Sequence, residues 1–491
     1  MIFFLEIVSD KKYLCLDTIF LRNTKFIPIF GFHTIDKLPS SYIFSNLFLS
    51  NCSPVYYPYN MDDKQALFEL NGKMPPFKYA FPMALQHLVA MIVGCVTPSI
   101  IISNMAHLSP EQSVLLIQTS LISAAFGTFL EVFLGAKLPM IMGVSFAYLA
   151  SMQAIVEGFG IAEIFGAQLC GGIAAILIGF YARRIRKLFP PLITGTVVFT
   201  IGLSLYPTAI TYMAGGSGNP NFGSWQNWLI AIITLFIVTM CNHFGKGLLK
   251  LASILIGIIA GYIISIPFGM VDISKVSNAG IVSLPHFMPF GIKFEFSAIL
   301  SFVILFSINS IQAIGDLSAT TIGGLDREPT GEELKRGIIT YGGMNVISAL
   351  FGGLPTATYS QNVGIVSSTK VVNRRVFGLT ATMLLVAGLL PKFSAFLTTI
   401  PQCVLGGATV SVFASIAMTG MKLVTTEDMN YRNTSIVGLS AALGVGISQV
   451  TEALSQFPDW VTMVFAKSPV VVATIVAVFL NIILPKDKKE E

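Results

Sequence analysis

GAKLPMIMGVSFAYL at residues 135–149 and GGLPTATYSQNVG at residues 352–364 decide how this chain is read. Each opens on glycine and a Leu-Pro pair, Leu138-Pro139 and Leu354-Pro355. Each then runs through small and polar residues where an uninterrupted apolar helix would otherwise stand. A second echo follows: FPPLITGTVVF at 189–199, with Pro191 and Gly195, returns as TIPQCVLGGATV at 399–410, with Pro401 and Gly406. The chain therefore repeats itself, and one segment is broken at the same place in both halves. Unwound backbone at membrane depth is tolerated only where protein or a water-filled cavity satisfies it. Matching broken segments in two halves are the mark of a transport site near the midplane.

Composition supports a membrane setting. Of 491 residues, 54% are hydrophobic and only 11% charged, and the mean hydropathy is +0.75. A soluble domain carries about a quarter charged residues, so a water-facing surface cannot be covered. Disorder, a coiled coil and nucleic-acid binding are excluded, the last despite a net charge of +5. The 43 glycines and 24 prolines are spread through apolar segments, as in helical membrane proteins. Six cysteines form no CxxC pair and four lie in apolar runs, so they read as packing residues, with no metal or cofactor implied. Residues 1–60 differ: charges such as Asp10, Lys11 and Asp17 break every apolar run, so the stretch reads as a poor signal peptide and offers no run long enough to cross a bilayer. The text changes at Met61, and the reading is that Met61 is the true start, with 1–60 extraneous or disordered.

Apolar runs of about 20 residues fall near 79–104, 113–134, 139–155, 161–182, 192–213, 226–243 and 249–268. A second set falls near 295–323, 336–353, 358–369, 376–391, 400–421, 433–450 and 463–484. Counted from Met61, one set of loops holds twenty-one Lys and Arg, including Lys137, Arg183, Arg327 and Arg374. The opposite loops hold four: Lys275, Lys293, Lys392 and Lys467. That bias places the first set, and both termini, in the cytoplasm. The expected fold class is an all-α polytopic membrane protein with fourteen transmembrane segments. Seven is odd, so the units 61–268 and 295–485 form a 7+7 inverted repeat in a cell membrane.

Polar groups inside spans are costly and functional by default. They are Gln86 and His87 in span 1, Glu131 in span 2 and Ser145 in span 3. Asn309, Gln312 and Asp316 lie in span 8, and Gln361 and Asn362 in span 10. Gln312 and Asp316 are four apart and share a helical face. Gln361-Asn362 lies in the broken segment, followed by Gly364. Two neighbouring carboxamides offer paired donors and acceptors, which suit a planar heterocycle better than a sugar or a bare ion. Phe146, in the matching segment, is placed to stack on such a ring. Each has a plainer reading. His87 is equally a packing residue, Phe146 core, Asp316 an Arg partner or backbone cap, and Glu131 a partner of Lys137 at the inner face. Thr330 with Glu333 fits a capping box and needs no function.

With these residues in view, a family resemblance emerges. Tyr359-SQNVGIVSST-Lys370, which includes Ser360, resembles the signature of the nucleobase–ascorbate transporter family: Gln/Glu-Asn-x-Gly, four residues, then Thr-Lys/Arg/Gly. Gln86-His87, Ser145-Phe146 and AIGDLSAT around Asp316 are similar to that family too, and the likeness covers about 79–485. It implies short β-strands in spans 3 and 10 facing each other across the substrate. It implies a core domain of spans 1–4 and 8–11, a gate domain of spans 5–7 and 12–14, nucleobase symport with protons or sodium, and a homodimer. Gln-Asn at 361–362 resembles the xanthine and uric acid branch, while Glu there would resemble the uracil branch. The implied substrate set is Gln361, Asn362, Gln312, Phe146, Ser145 and Ser360, with Asp316, His87 and Glu131 in coupling or support. Two positions depart: Gln312 stands where the family carries glutamate, and Tyr341 where xanthine carriers carry aspartate. An inorganic anion exchanger of the same fold is the rival, but no Arg or Lys occurs in spans 1, 3, 8 or 10. No enzyme motif is present.

Overall fold

The computed structural model describes residues 66–185, 190–272, 274–277, 279–458 and 461–485. The stretch 1–60 and the boundary at Met61 lie outside the described residues. The first half comprises α1 (Phe77–Met105), α2 (Pro110–Phe133), β1 (Met142–Val144), α3 (Leu149–Gly158), α4 (Ile161–Ile185), α5 (Pro191–Ser204), α6 (Tyr206–Met213), α7 (Trp225–Phe244) and α8 (Ser253–Ser265). The second comprises α9 (Phe296–Leu325), α10 (Gly331–Leu350), β2 (Thr356–Thr358), α11 (Ser360–Thr369), α12 (Arg374–Leu389), α13 (Pro391–Thr398), α14 (Gln402–Val424), α15 (Tyr431–Gln449) and α16 (Pro469–Ile483).

Local chemistry starts and stops these helices. Ser109 and Gln112 form a reciprocal capping box at α2, with Pro110 at the first turn, where its missing N–H costs nothing. Thr330 and Glu333 do the same at α10. Proline also cuts. Leu390 before Pro391 is extended, at φ −103° and ψ 97°, and α12 and α13 meet at 77°. The run at 376–391 therefore continues as a bent pair, and that at 192–213 divides into α5 and α6 at Leu205. A π-helical turn at Thr462–Ala466 precedes α16, so the run at 463–484 becomes a shorter helix that Pro469 opens.

Among the described residues, seven stretches are long and apolar enough to cross a membrane. They are α1, α2, Ile161–Tyr181 of α4, α5 with α6, α7, α9 and α14. The bent pair α12–α13 makes an eighth, and α8 and α16 are shorter apolar helices. Phenylalanine, leucine and isoleucine side chains on their outer faces are exposed, including Ile173, Leu177, Phe236, Ile263 and Phe479. That is the pattern of helices in lipid rather than water.

The second helix of each half packs on the fourth helix of the other: α10 on α4, and α2 on α12. Glycine makes the first crossing close. A Cβ on Gly172 would lie 2.9 Å from the Gly342 carbonyl, and one on Gly342 2.6 Å from that of Gly172. α14 packs on α5, α6 and α7, and α15 on α16. At the centre, β1 and β2 pair antiparallel, with Met142 opposite Thr358, Gly143 opposite Ala357 and Val144 opposite Thr356. Glycine is required at 143: a Cβ there would sit 2.7 Å from Cε2 of Tyr359.

Candidate functional site

The two strands bring the broken segments of both halves together, and the polar residues gather around their ends. Past β2, Thr358 and Ser360 turn their hydroxyls to one carboxylate. Thr358 donates to Oδ2 of Asp316 at 2.5 Å and Ser360 to Oδ1 at 2.8 Å. Asp316 is thus neither an arginine partner nor a backbone cap. It ties the middle of α9 to the start of α11, and both its oxygens accept. Between those two hydroxyls, Tyr359 points the other way and donates to the Val144 carbonyl at 2.6 Å.

The carboxamide pair separates. Asn362 is 1% exposed, and its Nδ2 lies 3.0 Å from Nδ1 of His87 and donates to the His87 carbonyl at 3.1 Å. Gln361 is exposed. The expectation of two carboxamides presenting one paired surface is corrected here, because adjacent residues on a helix point about 100° apart. His87, 1% exposed, also packs on Phe377 with centroids 4.5 Å apart. It serves as a joint between α1, α11 and α12, with Oδ1 of Asn362 buried and without a partner among the described residues.

Gln312 is half-buried and Gln361 exposed, and no hydrogen bond to another described residue occupies either carboxamide. Each is followed three positions later by an exposed glycine, Gly315 and Gly364, where a Cβ would meet nothing within 4 Å. The two helices pack on each other further along, where a Cβ on Gly323 or Gly324 would run into Ser367 or Val366. Beside the Asp316 contact, then, α9 and α11 each present a glutamine with free amide groups next to open space. In the other half, Ser145 is half-buried, accepts from the Ala147 N–H at 3.2 Å, and gives its own N–H to the Pro355 carbonyl at 3.1 Å. Phe146 is 8% exposed and meets Phe413 of α14 edge-on, with centroids 5.1 Å apart.

Glu131 is not gathered into this group. It is 1% exposed, and neither carboxylate oxygen has a hydrogen-bond partner among the described residues. Lys137 reaches it only through a backbone N–H to its carbonyl at 3.0 Å. Its Oε2 lies 2.9 Å from where a Cβ of Gly135 would stand, and its Oε1 2.9 Å from that of Gly337 on α10. Tyr341, also buried, shares a hydroxyl–hydroxyl hydrogen bond with Tyr148. Thr358 and Phe413 escaped the reading of the sequence, and Tyr359 entered it only as the first residue of the signature; the hydroxyls of TATYS were the visible signal for Thr358.

A cavity of about 620 Å³ lies elsewhere, lined by Asn219, Asn227 and Gln402 among others. Asn227 spends its amide on the Ala214 and Asn221 carbonyls and Asn219 on that of Gly215. An apolar groove of about 180 Å³ runs between α1, α8 and α13. Neither joins the carboxamide cluster, and no group of acidic, histidine and cysteine side chains able to hold a metal occurs among the described residues.

The fold is similar to the transmembrane domain of the cyanobacterial bicarbonate transporter BicA. The TM-score is 0.55 at 19% identity, over 81% of this chain and 97% of that one. It is also similar to SLC26A9, with a TM-score of 0.57 at 12% identity, over 84% and 67%. At those identities the likeness concerns architecture alone. Closer sequences include a putative purine permease of Clostridium perfringens, 33% identical over 82% of this chain and 89% of its own. The xanthine permease XanQ of Escherichia coli is 32% identical over 87% and 95%. The uric acid permease PucJ of Bacillus subtilis is 32% identical over 84% and 94%. The model of the permease family Xan_ur_permease matches residues 78–453. With its apolar helices, its signature on α11 and this match, the chain is a multi-pass membrane permease, not an enzyme, and belongs to the nucleobase–ascorbate transporter family.

Proposed function

We propose that this permease carries purine nucleobases, xanthine or uric acid, into the cell by cation symport with alternating access. The observation that carries the reading is the pair of carboxamides, Gln312 and Gln361, that have no hydrogen-bond partner among the described residues and each stand near an open glycine. A carboxamide both donates and accepts, so two of them match the alternating N–H and C=O edges of a purine dione. Ser145, Ser360 and Phe146 belong to the same substrate set, with Phe146 as the ring's stacking partner, and Asn362 supports it through His87. Asp316 is the first candidate for coupling, since it already links the signature helix to α9. Glu131 is a second acidic candidate, and the proton is the favoured ion, with sodium as the other.

The fourteen-segment, 7+7 arrangement is part of this proposal. Its support is the crossed packing of α2 on α12 and of α10 on α4, together with two breaks that each enter a strand. Helices α1–α4 and α9–α13 pack mainly among themselves, as do α5–α8 with α14–α16. That partition fits a core of spans 1–4 and 8–11 moving against a gate of spans 5–7 and 12–14. A plasma-membrane homodimer with cytoplasmic termini completes the reading. Uptake of radiolabelled xanthine, uric acid and uracil by a cell lacking its own carriers, with and without an uncoupler, tests it. Uncoupler-sensitive purine accumulation is expected. Preference for uracil, or bicarbonate exchange without purine uptake, would overturn it.

A further inference from the structure

We infer that Thr128 and Asn345 are positioning residues that hold the two binding-segment strands in register, one in each half of the chain. In an antiparallel pair, alternate residues turn their N–H and C=O away from the partner strand. Here the inward pairs include Ser145 with Pro355 and Ile141 with Tyr359, whose N–H donates to Ile141 at 3.1 Å. Met142 and Thr356 therefore face outward, at the edge of a sheet only two strands wide. Orphaned backbone at that depth is not tolerated, and no third strand exists among the described residues.

A side chain supplies the missing neighbour on each side. Oγ1 of Thr128, on α2, accepts from the Met142 N–H at 3.0 Å and donates to its carbonyl at 3.3 Å. Asn345, on α10, does the same with two atoms: Oδ1 accepts from the Thr356 N–H at 2.8 Å, and Nδ2 donates to the Thr356 carbonyl at 3.0 Å. Nδ2 of Asn345 also donates to the Tyr341 carbonyl at 2.9 Å, which fixes the rotamer, and Gln168 of α4 donates to the Asn345 carbonyl at 3.2 Å. Both clasping side chains are fully buried. Each lies on the helix just before its own strand and grips that strand's first residue. A carboxamide mimics a peptide group with separate donor and acceptor, whereas one hydroxyl must serve both. The second strand is therefore held more firmly than the first. Met142 leads to Ser145 and Phe146, and Thr356 to Thr358, Ser360 and Gln361, so the clasps set where both halves present their side chains. This role rests on the purine reading for its substrate, not for its geometry.

The test uses the full-length protein with Asn345→Ala, Thr128→Val and Thr128→Ser, reading xanthine KM and Vmax alongside hydrogen exchange of peptides spanning 140–146 and 354–359. Asn345→Ala is expected to raise KM about tenfold or more, with Vmax changed less than about threefold, because misplaced binding groups lose affinity first. It should speed exchange at 354–359 but not at 140–146. Thr128→Val should raise KM about threefold and speed exchange at 140–146, and Thr128→Ser, which keeps the hydroxyl, should stay within about twofold of the native protein. An unchanged KM in both Asn345→Ala and Thr128→Val, or a Thr128→Ser protein as impaired as Thr128→Val, overturns the assignment. If Asn345→Ala does not reach the membrane, the Thr128 pair decides alone. A native protein that binds no purine, yet shows the local exchange pattern in its variants, supports the clasps and sinks the purine reading instead.

Discussion

At the scale of single residues, the free carboxamides invite direct tests. Gln361→Glu removes an amide donor and adds a charge, and once a substrate covers this exposed side chain, losing one hydrogen-bond partner costs about 1–3 kcal/mol. Xanthine uptake should fall at least about tenfold, or preference should shift towards uracil; unchanged xanthine and urate kinetics would remove Gln361 from the site. Gln312→Glu brings a carboxylate towards urate, which is largely anionic at neutral pH. Two like charges about 4 Å apart repel by roughly 4 kcal/mol at an effective dielectric near 20. Affinity for urate should therefore drop more than affinity for neutral xanthine, in competition measured between pH 6 and pH 8. Asp316→Asn keeps one acceptor oxygen for Thr358 or Ser360, turns an N–H donor to the other hydroxyl and carries no charge, so accumulation against a gradient should vanish while insertion persists. Full concentrative uptake by that variant would dismiss Asp316 as the coupling group. Much of this was legible in the sequence, since Gln312, Asp316, Gln361 and Asn362 are polar residues in apolar runs. The partner of Asn362 was not. His87 lies 275 positions away, and only the packed helices show that the second carboxamide is a brace.

Among the elements, two glycines of opposite kind separate folding from function. Gly143 has no room: a Cβ would press on Tyr359, at 2.7 Å, and on Met91, at 3.0 Å. Gly143→Val should displace the Tyr359 ring, break its bond to Val144, and cost about 1–3 kcal/mol through overpacking, seen as a lowered melting temperature and weak expression. Gly315 has open space and sits inside a helix, where alanine is favoured over glycine by about 0.5–1 kcal/mol. Gly315→Ala should match or exceed the native melting temperature while xanthine uptake falls, because the methyl enters the space beside Gln312. Loss of stability with uptake intact would place that space outside the transport path. Leu-Pro and the polar run after it made each break readable. The strands came from the family resemblance alone, because three residues are too few for an alternating pattern. The bend at Pro391 was hidden because the apolar run ends there and Lys392 reads as a loop, although α13 follows at once.

Across the whole molecule, hydropathy reports on lipid contact, and that is why it was an uneven guide. α10 begins GEELKR and is largely buried against α4, so it need not be apolar throughout. α11 is ten residues long and packs one face on α9. The two matching breaks were readable because each lies within one local stretch of sequence, whereas the crossed packing of α2 on α12 and of α10 on α4 was not, since no local pattern encodes which helix receives which. Phe146 and Phe413 meet across the boundary between the two packing groups. If the proposed alternating access holds, Phe413→Ala should alter the balance between its two states. It is expected to change xanthine KM and Vmax together by about threefold or more, and a change in neither would leave the pair as ordinary packing.

The two-stranded ribbon also constrains how the protein can be made. Its partners are distant in the chain, with Tyr359 and Val144 separated by 215 positions. When the ribosome has delivered the first half, Gly143 and its neighbours have a clasp from Thr128 on one edge and nothing on the other. Exposed backbone of that kind is what quality-control proteases and slow, non-local folding act upon. Completion must wait until Thr356–Thr358 emerges and enters beside it. A chain that ends near residue 290 should therefore insert yet be degraded quickly, and supplying 291–491 as a separate polypeptide should lengthen its lifetime in a pulse-chase measurement. Each half is, in this sense, the other's chaperone.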